Sequence, residues 1–146
     1  MTDPFDAFVT DLQDQIFQQT RDDYGQEFYE RWLNLKNMGE IEEPSAVAEL
    51  TGSCGDKIKI FLDIDKEKIC QALFQTTGCA SSMVCGSVAC ELAQDKDLEE
   101  AAAMEAEDIL KILPNLPEEN HHCAHLAAHT VREAIRTFWQ NTTSQK

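Results

Sequence analysis

Three cysteines stand where a lone thiol can do chemistry: Cys54 in "GSCGD", Cys79 in "TGCASS" and Cys123 in "NHHCAH", the last beside His121, His122 and His125. A thiolate binds soft metal ions or attacks sulfur, and a neighbouring imidazole can serve either role. Each cysteine falls where one expected element gives way to the next: the mouth of a strand, the break from a strand into a helix, and the start of the last helix. Side chains at such boundaries can converge from distant sequence at one end of a sheet. Cys79 and Cys123 also lie at expected helix N-termini, where the helix dipole favours an anionic sulfur.

Asp56 follows Cys54 by two residues, so in extended backbone both side chains point to the same side, and Gly55 between them permits a bend. The candidate metal set is therefore the thiolates of Cys54, Cys79 and Cys123, with Asp56 or His122 as the fourth ligand. Three soft thiolates supply affinity, while a carboxylate is a harder and more exchangeable partner. A different chemistry would use Cys123 as a nucleophile with a histidine base. Adjacent residues at a helix start rarely present such a pair at suitable geometry, and no substrate-pocket motif accompanies them. Cys70, in an expected strand, and Cys85 and Cys90, in an expected helix, read as core or half-buried thiols. His121, His125 and His129 read as solvated side chains on a polar helix face.

The elements that must position these residues follow from periodicity. Asp3-Pro4 reads as an N-cap with proline at the first helical position, and Phe5, Phe8, Val9, Leu12 and Ile16 recur at helical spacing over residues 3 to 19. A second short helix runs through Tyr24, Phe28, Tyr29 and Trp32 until "NLKNMGEIEEPS" interrupts it. From residue 46, "AVAEL", "KIKIFLDI" and "ICQALFQTT" alternate apolar and polar residues, with "DKEK" at 65 to 68 as a turn, which predicts a three-stranded antiparallel meander. Residues 81 to 93 carry Met83, Val84, Val88 and Leu92 on one stripe. Two short helices follow in "LEEAAAM" and "EDILKIL". A final helix over about 121 to 139 places Leu126, Ala127, Val131, Ala134, Ile135 and Phe138 on one face. A small sheet followed by helices is an α+β domain.

The 146 residues suit one domain with a real core. Lys+Arg 12 against Asp+Glu 27 leaves a net charge of −15, which repels phosphate backbones and anionic lipid, so neither nucleic acid nor a membrane is an expected partner. The N-terminus "MTDPFDAFVTDLQDQ" carries acids where a signal peptide carries Lys or Arg, and no apolar run approaches a membrane span. A cytoplasmic, reducing location is the expectation, and there six cysteines point to metal or thiol chemistry rather than disulfides.

"GSCGD", "TTGCASS" and "HCAHLAAHTVREAI", in this order and at this separation, resemble the IscU/NifU-type iron-sulfur cluster assembly scaffolds. Upstream, "YGQEFYERWLNLKNMGEIEEP" is similar to that family's N-terminal helix and loop, so the resemblance spans about residues 24 to 138. It implies a three-stranded antiparallel sheet packed with helices, with Cys54, Cys79 and Cys123 as cluster or zinc ligands. It further implies that Asp56 and His122 match the family's aspartate and histidine, and that Cys123 accepts persulfide sulfur. The implied activity is that of a non-enzymatic scaffold, monomeric or homodimeric. It would build a transient [2Fe-2S] cluster from iron and from sulfur supplied by a cysteine desulfurase, draw on an electron donor, and pass the cluster to apo-proteins. Zinc is the implied occupant of the cluster-free site.

On the same basis residues 1–23 form an added helix, 24–140 the scaffold domain and 141–146 a frayed tail. Departures from the pattern are Leu35 and Lys36 in place of Pro-Arg, Arg31 where histidine is common, and Asn120 in place of lysine. Desulfurase docking through that loop, and recruitment of a chaperone through an L-P-P-V-K motif, are accordingly not implied. A zinc-dependent sulfur acceptor of the SufU kind would use the same cysteines and aspartate. Those relatives carry an insertion between the second and third cysteine and lack the histidine, whereas here the interval is compact and His122 is present.

Overall fold

Alternation at period two builds the sheet. In the computed structural model, which describes residues 4–53 and 55–144, β1 (Ala46–Thr51), β2 (Lys57–Asp65) and β3 (Lys68–Thr76) pair antiparallel in the order β1-β2-β3. Cys54 and Asp3, the expected ligand and the expected N-cap, lie outside the described residues. Two cross-strand rows, Ala48–Ile60–Phe74 and Ala46–Leu62–Ala72, are buried on one face. The opposite face carries the row Val47–Phe61–Leu73, with the Lys59 ammonium 5.2 Å from the Phe61 ring centroid.

The β2–β3 hairpin turns through Lys66 and Glu67, both at positive φ, as a two-residue connection that matches strand twist requires. Just beyond it the register slips. Asp63 pairs with Gln71 but Ile64 with Ile69, so Cys70 is the extra, unpaired residue of a bulge. Strict alternation would have turned Cys70 inward, as expected from the sequence; the bulge instead buries Ile69 and leaves Cys70 exposed.

Helices cover the buried face. After α1 (Pro4–Tyr24) and α2 (Gln26–Leu33), which precede the sheet, come α3 (Ala80–Ala93), α4 (Leu98–Ala102), α5 (Ala106–Ile112) and α6 (His121–Ser144). The short helices are capped by side chains. Asp97 accepts from Glu100 N–H at 2.8 Å before α4, and Glu105 and Asp108 form a capping box on α5. Ala124, Ala127, Ala128, Val131, Ala134 and Ile135 line the core side of α6, and their small side chains let the helix lie close to the sheet and α3.

α3 differs from its expected single stripe: Ser81, Ser82, Cys85, Gly86, Ser87, Ala89, Cys90 and Ala93 are buried along with Val84 and Val88. It is enclosed on several sides. A β-carbon at Gly86 would lie 2.7 Å from the Phe74 ring, so this helix meets the sheet more closely than any larger residue allows. On another side Ser87 donates to the Lys36 carbonyl at 2.8 Å, and Arg31 of α2 pairs with Glu27 (2.7 Å) and with Glu91 of α3.

Two further differences concern the ends. α6 continues to Ser144, past the expected 139, so residues 141 to 144, expected as frayed tail, are helical; Thr142 donates to the Phe138 carbonyl at 2.9 Å within that last stretch. The apolar stripe of α1 forms at helical spacing but stays outside the core, with Phe5 67%, Phe8 63%, Leu12 46% and Ile16 51% exposed. The far end of α1 engages the domain, where Tyr24 stacks on Phe28 and Arg21 lies 4.7 Å from the Tyr29 ring centroid. No helix among the described residues is long and apolar enough to cross a membrane.

Candidate functional site

β2 begins and β3 ends at the same end of the sheet, and the site is built there. Gly55 at φ +91° turns the chain ahead of β2, and the Gly52 N–H donates to the Asp56 carbonyl at 2.8 Å. On the neighbouring strand end the Thr77 N–H donates to the Lys57 carbonyl at 3.1 Å, and the Thr76 hydroxyl to the same carbonyl at 2.6 Å. These bonds hold the loop bearing Asp56 against the segment that carries Gly78 and Cys79 into α3. Gly78 makes the approach possible, since a β-carbon there would lie 2.5 Å from Ser82 Oγ and 2.9 Å from Asp56 Oδ2.

Asp56 and Cys123 meet through Ser82. The Ser82 hydroxyl donates to Asp56 Oδ2 at 3.3 Å and lies 3.5 Å from Cys123 Sγ, so loop, α3 and α6 converge on one oxygen. Cys123, in the first turn of α6, is 3% exposed. Beside it, His122 Nδ1 lies 2.9 Å from the Glu119 carbonyl and Nε2 lies 3.5 Å from Cys123 Sγ. A carbonyl only accepts, so Nδ1 donates to it and Nε2 is the ring nitrogen that faces the sulfur. Metal-binding histidines are commonly oriented in this manner. His121 is not solvated as expected but half-buried, its Nε2 donating to the Leu116 carbonyl at 3.0 Å; His125 and His129 are exposed.

Cys79 is the exposed N-cap of α3, one turn before Ser82. Cys85, fully buried further along that helix, is held protonated: burial raises its thiol far above the ordinary range, and the charges that Cys123 and Cys79 would carry raise it further. Cys90 is raised by burial alone. The structure therefore sets His122 against Cys123, links Asp56 to Cys123 through Ser82, and places Cys79 at the start of the same helix that carries Ser82 and Cys85.

Among the described residues no three His, Cys, Asp or Glu side chains are gathered as a group that could hold a metal ion. The donor types of Asp56, His122 and Cys123 nonetheless fit an iron or zinc ion, and the space Gly78 leaves open keeps Asp56 and Ser82 in contact. Ser82 and Gly78 were not singled out from the sequence. The signal that points to Ser82 is its spacing three residues after Cys79, on one helix face.

Fold and site together define a small α+β domain with a mixed thiol, imidazole and carboxylate site at one end of an antiparallel sheet. The chain belongs to the family described as NifU-like N terminal domain, which matches residues 23–145. It is 31% identical over 118 residues to an iron-sulfur cluster assembly scaffold protein IscU of Archaeoglobus fulgidus, covering 80% of this chain and 77% of that protein. Against the nitrogen fixation protein NifU of Azotobacter chroococcum the identity is 32% over 119 residues, covering 80% of this chain and 38% of that longer protein. In fold it is similar to the N-terminal part of a NifU-like protein from Brucella abortus, with TM-score 0.68, 18% identity and coverage of 82% of this chain and 96% of the other. It is likewise similar to a putative iron-sulfur cluster assembly scaffold protein for the SUF system from Fervidobacterium islandicum, with TM-score 0.67, 22% identity and coverage of 80% and 98%.

Proposed function

We propose that this chain is a scaffold on which an iron-sulfur cluster is assembled and from which it is handed to apo-proteins. The observation that carries the reading is the convergence of Asp56, Ser82, His122 and Cys123 from three separate segments in a chain of the NifU-like family. The cluster is cargo rather than a resident cofactor. Cys54, Cys79 and Cys123 supply the thiolates, and Asp56 and His122 are the exchangeable ligands. A ligand set of this mixture holds iron firmly enough to build on and loosely enough to release. Residues 24–140 form the scaffold domain in this reading.

Sulfur arrives by exchange. The Cys123 thiolate attacks the outer sulfur of a cysteine desulfurase persulfide, a Cys123 persulfide forms, and the desulfurase thiolate leaves. An electron donor then supplies the electrons that reduce sulfane sulfur to the sulfide of a [2Fe-2S] cluster. His122 Nε2 faces the sulfur throughout, and the start of α6 favours its anionic form. The protein itself turns over no substrate; it holds reactants and passes on the product.

Anaerobic reconstitution with ferrous iron, cysteine and a desulfurase tests the reading. Visible absorption of a [2Fe-2S] chromophore that disappears as an apo-ferredoxin gains its own is the expected result. Zinc retained with no chromophore, together with persulfide on Cys123, would overturn it in favour of a zinc-dependent sulfur acceptor.

A further inference from the structure

We infer that Ser82 is a positioning residue of this site, tying the Asp56 carboxylate and the Cys123 thiol to one buried hydroxyl ahead of metal binding; the inference rests on the scaffold reading above. Ser82 is 3% exposed, and its Oγ is the atom at which the Asp56 loop and α6 meet. A buried hydroxyl is retained at low energetic cost only where it has partners, and here both partners are candidate ligands. The single Ser82 hydroxyl proton goes to Asp56 Oδ2, so in this arrangement the Cys123 thiol is the donor of the Cys123–Ser82 contact. The bond engages Oδ2 of Asp56 and leaves Oδ1 outside it.

Three facts make this an arrangement rather than an accident of packing. Gly78 is where any β-carbon would collide with both Ser82 Oγ and Asp56 Oδ2. Ser82 stands one turn along α3 from Cys79, so the same first turn carries one expected ligand and the tether for two others. His122, on the far side of Cys123, is oriented separately by the Glu119 carbonyl. Asp56 Oδ2 and Cys123 Sγ thus share one contact atom, Ser82 Oγ. Ordering ligands before the metal arrives lowers what binding must supply, and losing such an outer partner typically weakens metal affinity by about 10- to 100-fold.

Cobalt(II) titration of the reduced full-length chain, scored by the thiolate-to-cobalt charge-transfer band and by chelator competition, tests this. Ser82→Ala removes only the hydroxyl and should weaken cobalt binding by about tenfold, with a weaker ligand-field spectrum and an unchanged thermal transition. In an Asp56→Ala background the same substitution should have a clearly smaller effect, because one of the groups it positions is gone. Equal cobalt affinity of Ser82→Ala and the parent chain would overturn the inference while leaving the scaffold reading intact. An undiminished loss in the Asp56→Ala background would also overturn it, showing a packing effect that does not pass through Asp56. A parent chain with no thiolate-to-cobalt band would overturn both.

Discussion

Cys123 is buried, faced by an imidazole nitrogen and a hydroxyl, and begins a helix, whereas Cys79 is exposed at the start of another. The two thiols differ in environment, and the proposed function gives persulfide capture to Cys123. Cys123→Ser should abolish persulfide labelling by a desulfurase, measured by mass shift; undiminished labelling would move the acceptor role to Cys79 or Cys54. If Asp56 is the exchangeable ligand of the proposed function, Asp56→Ala should slow cluster loss to an acceptor; faster loss would sink that role. Iodoacetamide at pH 8 should label Cys70 and Cys79 in the folded chain and reach Cys85 and Cys90 only after unfolding, since burial holds the latter two protonated as well as inaccessible. Cys70 shows the limit of reading single residues. Its strand was legible, but the bulge that turns it outward arises from how β2 and β3 close their hairpin.

At the scale of elements, α3 carries the most information. Its expected stripe was only part of the truth, because small residues on the other faces allow the sheet, α6 and the 34–37 segment to approach. Gly86→Ala sets a gain of about 1 kcal/mol in helix propensity against a β-carbon 2.7 Å and 2.9 Å from two Phe74 ring atoms and 3.1 Å from Ile58. Both neighbours are fully buried and cannot yield, and overpacking of this kind costs about 1–3 kcal/mol. The clash should win, lowering the melting temperature by several degrees in a calorimetric scan. The amphipathic spacing of α1 was equally legible, yet whether its apolar face is covered depends on where the helix lies, and periodicity does not encode that.

For the whole molecule the net charge of −15 is the dominant long-range term. Like-charge repulsion disfavours the compact state, so the melting temperature should rise as salt is added from low ionic strength, and a salt-independent transition would contradict this. Alkaline pH acts in the opposite direction. Cys85 and Cys90 bind their protons more tightly folded than unfolded, so their contribution is fully present below the ordinary thiol value of 9.0 and is lost as pH rises above it. Melting temperature should fall above about pH 9, and a Cys85→Ala/Cys90→Ala variant should fall less steeply over the same range.

The order of elements, the antiparallel meander and the cysteines at element boundaries were all present in the chain as local patterns, because period two, period 3.6 and turn chemistry are properties of neighbouring residues. The resemblance to scaffold proteins likewise rests on short motifs in a fixed order. Only the tertiary structure decided which side chains meet. Ser82 joins Asp56 to Cys123 across long stretches of sequence, Gly78 makes room for that contact, and the Glu119 carbonyl sets the His122 ring. Such contacts depend on how α3 and α6 pack against one end of the sheet, to within a fraction of an ångström, and no local pattern of residue types carries that distance.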